Sequence, residues 1–108
     1  MLVMALRGCP LCLALGQETL AEPWIKHFLS SFIVVTTYQD EKIEQKYSPD
    51  GYPTIVFLDP DGKEVHRTSG DQPPALFLGQ CVRAFKALGR DVPEELQLLM
   101  DRKVVVNK

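Results

Sequence analysis

The chain has 108 residues, 45% hydrophobic and 24% charged, the range of one soluble domain with one core, so residues 1–108 are expected to form a single domain. A formal net charge of -2, without a basic stripe, excludes an electrostatic case for nucleic acid, and no stretch approaches the roughly 18 consecutive apolar residues of a spanning helix. Three cysteines are too few for a disulfide scaffold, and their odd number leaves one unpaired.

Leu2 to Leu6 is a short apolar run ending at Arg7 and Gly8, which predicts a strand buried on both faces. Met1 to Gly16 is apolar enough to invite a signal-peptide reading, but Arg7 and Pro10 interrupt the run and no basic region precedes it. Gly8-Cys9-Pro10-Leu11-Cys12 follows the strand. Helical geometry puts residues i and i+3 on one face, compatible with the roughly 4.4 to 6.8 Å Cα separation of a disulfide. Pro10 suits the first turn of a helix, which places Cys9 at the N-terminus, where unpaired N–H groups and the helix dipole favour a thiolate. A thiolate is the attacking species in disulfide exchange.

From Pro10 the pattern is helical, with Leu13, Ala14, Leu20 and Ala21 as the apolar positions and Gln17, Glu18 and Thr19 as polar ones. Pro23 ends or kinks that helix. Trp24, Ile25, Phe28 and Leu29 then define the apolar face of a second helical piece. Phe32 to Tyr38 is nearly all β-branched or aromatic and reads as a strand, completing a βαβ unit. Asp40 to Tyr47 reads as a short surface helix, and Ser48-Pro49-Asp50-Gly51 as a turn. Thr54 to Leu58 and Lys63 to Thr68 flank Asp59-Pro60-Asp61-Gly62 as an antiparallel hairpin. Ala75 to Leu88 carries Leu78, Val82, Phe85 and Leu88 at amphipathic-helix spacing, with Gly89 as its cap. Asp91 to Glu95 is a start signal for a final helix through about Met100, and Val104 to Val106 reads either as a short strand or as a tail.

The element order, the Cys9 to Cys12 motif and Gly51-Tyr52-Pro53-Thr54-Ile55-Val56-Phe57 together resemble the thioredoxin-like thiol-disulfide oxidoreductases. Pro53 follows Cys9 by 44 positions (53 - 9), as the proline beside the redox cysteines does in that family. The hairpin Leu58 to Val65 resembles that of the bacterial branch that includes thiol reductases. The resemblance implies an α/β thioredoxin-like fold: a central four-stranded mixed sheet flanked by helices, here with an extra C-terminal helix. It implies that Cys9 attacks a substrate disulfide and Cys12 resolves the mixed disulfide. It also implies a cis bond at Tyr52-Pro53, exposing the Tyr52 backbone to an extended substrate. Tyr52, Pro53 and Thr54, with Pro10 and Leu11 between the thiols, are therefore the expected substrate-binding residues. Gly8 stands where the family usually has tryptophan, Val3 where thioredoxin has a buried carboxylate, and Pro-Leu replaces Gly-Pro between the cysteines.

A closed zinc site needs four ligands, and beyond Cys9 and Cys12 only Cys81, His27 and His66 are at hand, none paired at ligand spacing. No metal and no cofactor are expected, since the electrons reside in the cysteine pair. Cys81, in a helical pattern between Leu78 and Val82, reads as core filler. Trp24 reads as core or a cover over the first helix, and His27 and His66 as surface residues. The expected partners are a disulfide-containing protein or a low-molecular-weight thiol compound, and an electron donor; a monomer is expected. Reduction in the cytoplasm is the preferred direction and place, or the periplasm for a chain that has lost a leader or anchor. A peptide-binding module that uses the same fold with little turnover, and a metal carrier that uses the same thiols, are the alternatives.

Overall fold

Residues 1–92 and residue 94 are described by a computed structural model of the chain. The run Leu-Val-Met-Ala forms strand β1 (Leu2–Ala5), buried along its whole length, as a strand covered on both faces must be. With β2 (Val35–Tyr38), β3 (Thr54–Leu58) and β4 (Glu64–Ser69) it makes one sheet of order β2-β1-β3-β4. β1 pairs parallel with β2, Leu2 opposite Val35, and antiparallel with β3, Leu2 opposite Val56. β3 and β4 form the antiparallel hairpin, with a register irregularity at Phe57/Leu58. The sheet is mixed because β1 reaches β2 through a helical crossover, whereas a tight turn joins β3 to β4.

Alternation along the strands divides the interior into two cores. Val3, Ile55 and Phe57 point to the face covered by α2 (Pro23–Leu29) and α4 (Pro74–Ala87), where Ile25, Phe28, Phe77, Leu78 and Phe85 meet them. Phe57 is the hub: its ring centroid lies 5.8 Å from that of Phe32, 6.5 Å from Phe77 and 5.9 Å from His66. Leu2, Met4 and Val56 point the other way, under Ile43 and Tyr47 of α3 (Glu41–Tyr47). The Asp40 carboxylate starts α3 by accepting the N–H of Ile43 at 3.0 Å, an N-cap that satisfies an otherwise orphaned donor. Helix α4 ends as the sequence predicts. Gly89 takes a left-handed φ of 70°, while the N–H groups of Gly89 and Arg90 donate to the carbonyls of Lys86 and Phe85, the two bonds of a Schellman cap.

Two expectations need correction. The strand expected over Phe32 to Tyr38 pairs only from Val35, because β1 offers just four residues to pair with. Phe32 turns into the aromatic core, and Ile33 and Val34 stay exposed beside the open edge of β2. In the first helix the inward positions are Leu15 and Thr19, whereas Leu13 is 59% exposed. Helix α1 (Pro10–Ala14) passes into a π-helical turn over Leu15–Thr19, in which Leu20 N–H donates to the Leu15 carbonyl at 2.8 Å. The wider turn shifts the register away from a regular 3.6-residue helix. Thr19 is buried because its hydroxyl donates to the Gln72 carbonyl. The expected final helix through Met100 and the segment Val104 to Val106 fall outside the described residues.

Candidate active site

The strand-to-helix turn after β1 builds the site. Gly8 adopts a φ of 75°; a Cβ there meets nothing within 4 Å, so a larger residue would suffer backbone strain without a clash. Cys9 is then extended (φ -82°, ψ 115°) and caps α1, with Pro10 in the first turn. Its Sγ accepts the N–H of Cys12 at 3.2 Å. A sulfur thus occupies the place usually taken by a hydroxyl or carboxylate oxygen at a helix start, where partial positive charge accumulates.

This position separates the two thiols electrically. Cys9 is held below the ordinary thiol range, chiefly by the hydrogen bond from the Cys12 thiol and further by backbone N–H groups at the helix start. Cys12 is pushed above that range, first by burial and then by giving its hydrogen bond to Cys9. Both are free thiols and both are half-buried. The arrangement favours the thiolate on Cys9 over one on Cys12. Val3, at the position of the family's buried carboxylate, is a core residue and provides no charge beneath the pair.

The loop before β3 supplies the other wall. The Cys9 thiol faces the Tyr52 carbonyl, Sγ to O 3.9 Å, and the Tyr52–Pro53 peptide bond is cis. The Tyr52 hydroxyl donates to Glu44 Oε1 at 2.6 Å, and this bond raises the phenol above its ordinary range. The second Glu44 oxygen is buried without a hydrogen-bond partner among the described residues. Gly70 N–H donates to the Pro53 carbonyl at 2.8 Å, tying this loop to the end of β4. Pro10 is exposed and Leu11 is 53% exposed, so both border the thiols from the solvent side. Thr54 is fully buried, with its hydroxyl donating to the Gly51 carbonyl at 2.6 Å. It braces the loop from within instead of flanking a docking surface.

Cys81 lies in α4 with 1% exposure, and burial pushes its thiol up to about 12, which leaves it inert. No group of three or more His, Cys, Asp or Glu fit to hold a metal ion gathers among the described residues. A cleft of about 540 Å³ runs beside the cysteines, walled by Leu6, Cys9, Cys12, Leu13 and Leu20 and reaching Tyr38 of the edge strand. Arg7 stands at it, its guanidinium carbon 4.6 Å from the centre of the Tyr38 ring. Sequence reasoning did not single out Arg7, Tyr38 or Glu44. Only Arg7 carries a local signal, as the one Lys or Arg before Lys26.

The family model described as a thioredoxin-like domain matches residues 1–83. Among solved structures, a thioredoxin from Thermus thermophilus is similar with a TM-score of 0.72 and 27% identity, over 82% of this chain and 74% of that one. The oxidoreductase DsbH is similar in fold, with a TM-score of 0.63 and 22% identity, over 79% of this chain and 70% of its own. No curated protein sequence matches the chain.

Proposed function

This chain belongs to the thioredoxin-like domain family, and we propose that it is a thiol-disulfide oxidoreductase, reducing protein or small-molecule disulfides through Cys9 and Cys12. The observation that carries the reading is the placement of two thiols three residues apart at the start of α1: Cys9 Sγ caps the helix by accepting the Cys12 N–H at 3.2 Å and faces the Tyr52 carbonyl at 3.9 Å. In the reaction the Cys9 thiolate attacks one sulfur of the substrate, whose S–S bond breaks as the other sulfur leaves and takes up a proton. Cys12 then gives up its proton and attacks the Cys9 sulfur, releasing the second substrate sulfur and closing the Cys9 to Cys12 disulfide. Two electrons pass from protein to substrate. A thiol-bearing electron donor restores the dithiol.

An extended substrate peptide would pair with the backbone of Tyr52, whose carbonyl already faces Cys9, in the manner of an added strand. The reducing direction is supported by the resemblance of the Leu58 to Val65 hairpin to the reductase branch. The potential tests both direction and chemistry. Cys81→Ser protein is equilibrated in graded dithiol and glutathione buffers, and its free thiols are trapped and counted by mass. A potential near roughly -270 mV is expected; one near roughly -120 mV would place the pair with the oxidants. Failure to form any Cys9 to Cys12 disulfide would overturn the enzyme reading in favour of a peptide-binding module or metal carrier. Cys9→Ser is expected to abolish exchange, whereas a pure binding module would keep its affinity.

A further inference from the structure

The cleft beside the cysteines does not coincide with the Tyr52 wall: neither Tyr52, Pro53 nor Thr54 lines it. Its lining is mostly apolar, with Gln17, Thr36 and Tyr38 as neutral polar residues beside the two thiols. Arg7 is the one charged residue among those that line it, and it makes no ion pair among the described residues. The guanidinium is nevertheless held, stacked on Tyr38, and a stacked guanidinium keeps its N–H edge available to a planar anion. The volume, about 540 Å³, lies in the range of small-ligand sites, roughly 300 to 1,000 Å³. A mostly apolar cleft that ends on a thiol and carries one stacked cation, without an ion pair among the described residues, matches one ligand chemistry.

We infer that this cleft is a subsite for small organic disulfides that carry a carboxylate, with Arg7 on Tyr38 as the residue that selects them. The inference rests on the oxidoreductase reading and names a substrate class for it. The carboxylate pairs with the Arg7 guanidinium, the short apolar arm lies against Leu13 and Leu20, and one sulfur meets Cys9. The Cys9 thiolate forms a bond to that sulfur and the ligand's S–S bond breaks, releasing a first thiol once the leaving sulfur is protonated. Cys12, losing its proton, bonds to the Cys9 sulfur and releases the second. The protein dithiol is oxidised by two electrons and the ligand is reduced to two thiols, so a single turnover of pre-reduced protein needs no other reductant.

Three disulfides with two-carbon arms serve as probes: dithiodipropionate (anionic), hydroxyethyl disulfide (neutral) and cystamine (cationic). Each is mixed with pre-reduced Cys81→Ser protein and with the same protein carrying Arg7→Ala or Arg7→Lys, and the loss of free thiols is followed. The readout is the ratio of the second-order constant for dithiodipropionate to that for hydroxyethyl disulfide, which cancels any change in the nucleophilicity of Cys9. Arg7→Ala is expected to lower this ratio roughly fivefold, as befits a solvent-exposed charge pair. Arg7→Lys is expected to fall between, and cystamine to move the opposite way. At about 1 M salt, where the screening length is ~3 Å, the wild-type ratio is expected to fall to that of the alanine variant. An unchanged ratio in Arg7→Ala, with hydroxyethyl disulfide still reduced, would overturn the inference alone. Failure of pre-reduced protein to attack hydroxyethyl disulfide at all would overturn the oxidoreductase reading, and this inference with it.

Discussion

Arg67→Ala probes the brace beneath the Tyr52 loop. From β4, the Arg67 guanidinium grips Glu64 with two bonds at 2.6 and 2.7 Å, Asp50 at 2.8 Å, and the backbone carbonyls of Ser48 and Tyr47 at 2.9 and 2.5 Å. Its side chain is only 26% exposed, and Ser48 sits at the C-terminus of α3 with a left-handed φ of 46°. Each hydrogen bond to a backbone carbonyl is worth about 1 kcal/mol net, and each exposed ion pair about 0.5 kcal/mol or less. Removing all of them should therefore cost about 2 to 3 kcal/mol. For a domain of this length, 1 kcal/mol moves Tm by roughly 4 °C, so a fall of about 10 °C is expected. Urea unfolding followed by circular dichroism should show the midpoint moving with the slope unchanged. Arg67→Lys keeps the charge without the fork and should recover less than half of the loss. Arg67 holds the Glu64 carboxyl below its ordinary range, chiefly through their hydrogen bonds. That part of the stabilisation is present above the unfolded carboxyl pKa, about 4.3, and is lost as pH falls through the lower folded value. The gap between wild type and Arg67→Ala should accordingly narrow in acid but persist, since the carbonyl contacts do not titrate. A loss below about 0.5 kcal/mol at neutral pH would refute this reasoning and reduce Arg67 to an ordinary surface ion pair.

Iodoacetamide labelling of the reduced protein against pH should modify Cys9 first, with a midpoint below the roughly 8.5 of a free thiol. Removing the donor in Cys12→Ala should move that midpoint upward; an unmoved midpoint would show that the Cys12 thiol does not tune Cys9. In the same experiment Cys81 should stay unlabelled until urea unfolds the chain, because it is buried and its thiol is pushed up to about 12. Thr19→Val keeps the shape of the π-helical turn but leaves the Gln72 carbonyl without its hydroxyl donor. The expected cost is about 1 to 2 kcal/mol in thermal unfolding, and a neutral effect would show that water replaces the hydroxyl.

Features that arise from neighbours in the chain could be read from the sequence. The cysteine at the helix start, the Gly-containing hairpin turn, the Gly89 cap and the apolar face of α4 each depend on residues within a few positions of one another. Their geometry follows from dihedral preferences and from which backbone groups lack partners. Sequence periodicity failed where tertiary packing overrode it. The wide turn at Leu15–Thr19 turned Leu13 outward and Thr19 inward, and β2 was cut to the length of the one strand beside it. Only the fold could bring Arg7 onto Tyr38, the Tyr52 hydroxyl to Glu44, and the Cys9 thiol to the Tyr52 carbonyl 43 residues away. These contacts join side chains from separate elements at the ends of a sheet whose strand order no local pattern encodes. Thus the sequence alone determined the cysteine pair and the elements that carry it. The tertiary structure decided what surrounds that pair, because burial, charge pairing and the shape of a cleft are properties of the packed chain.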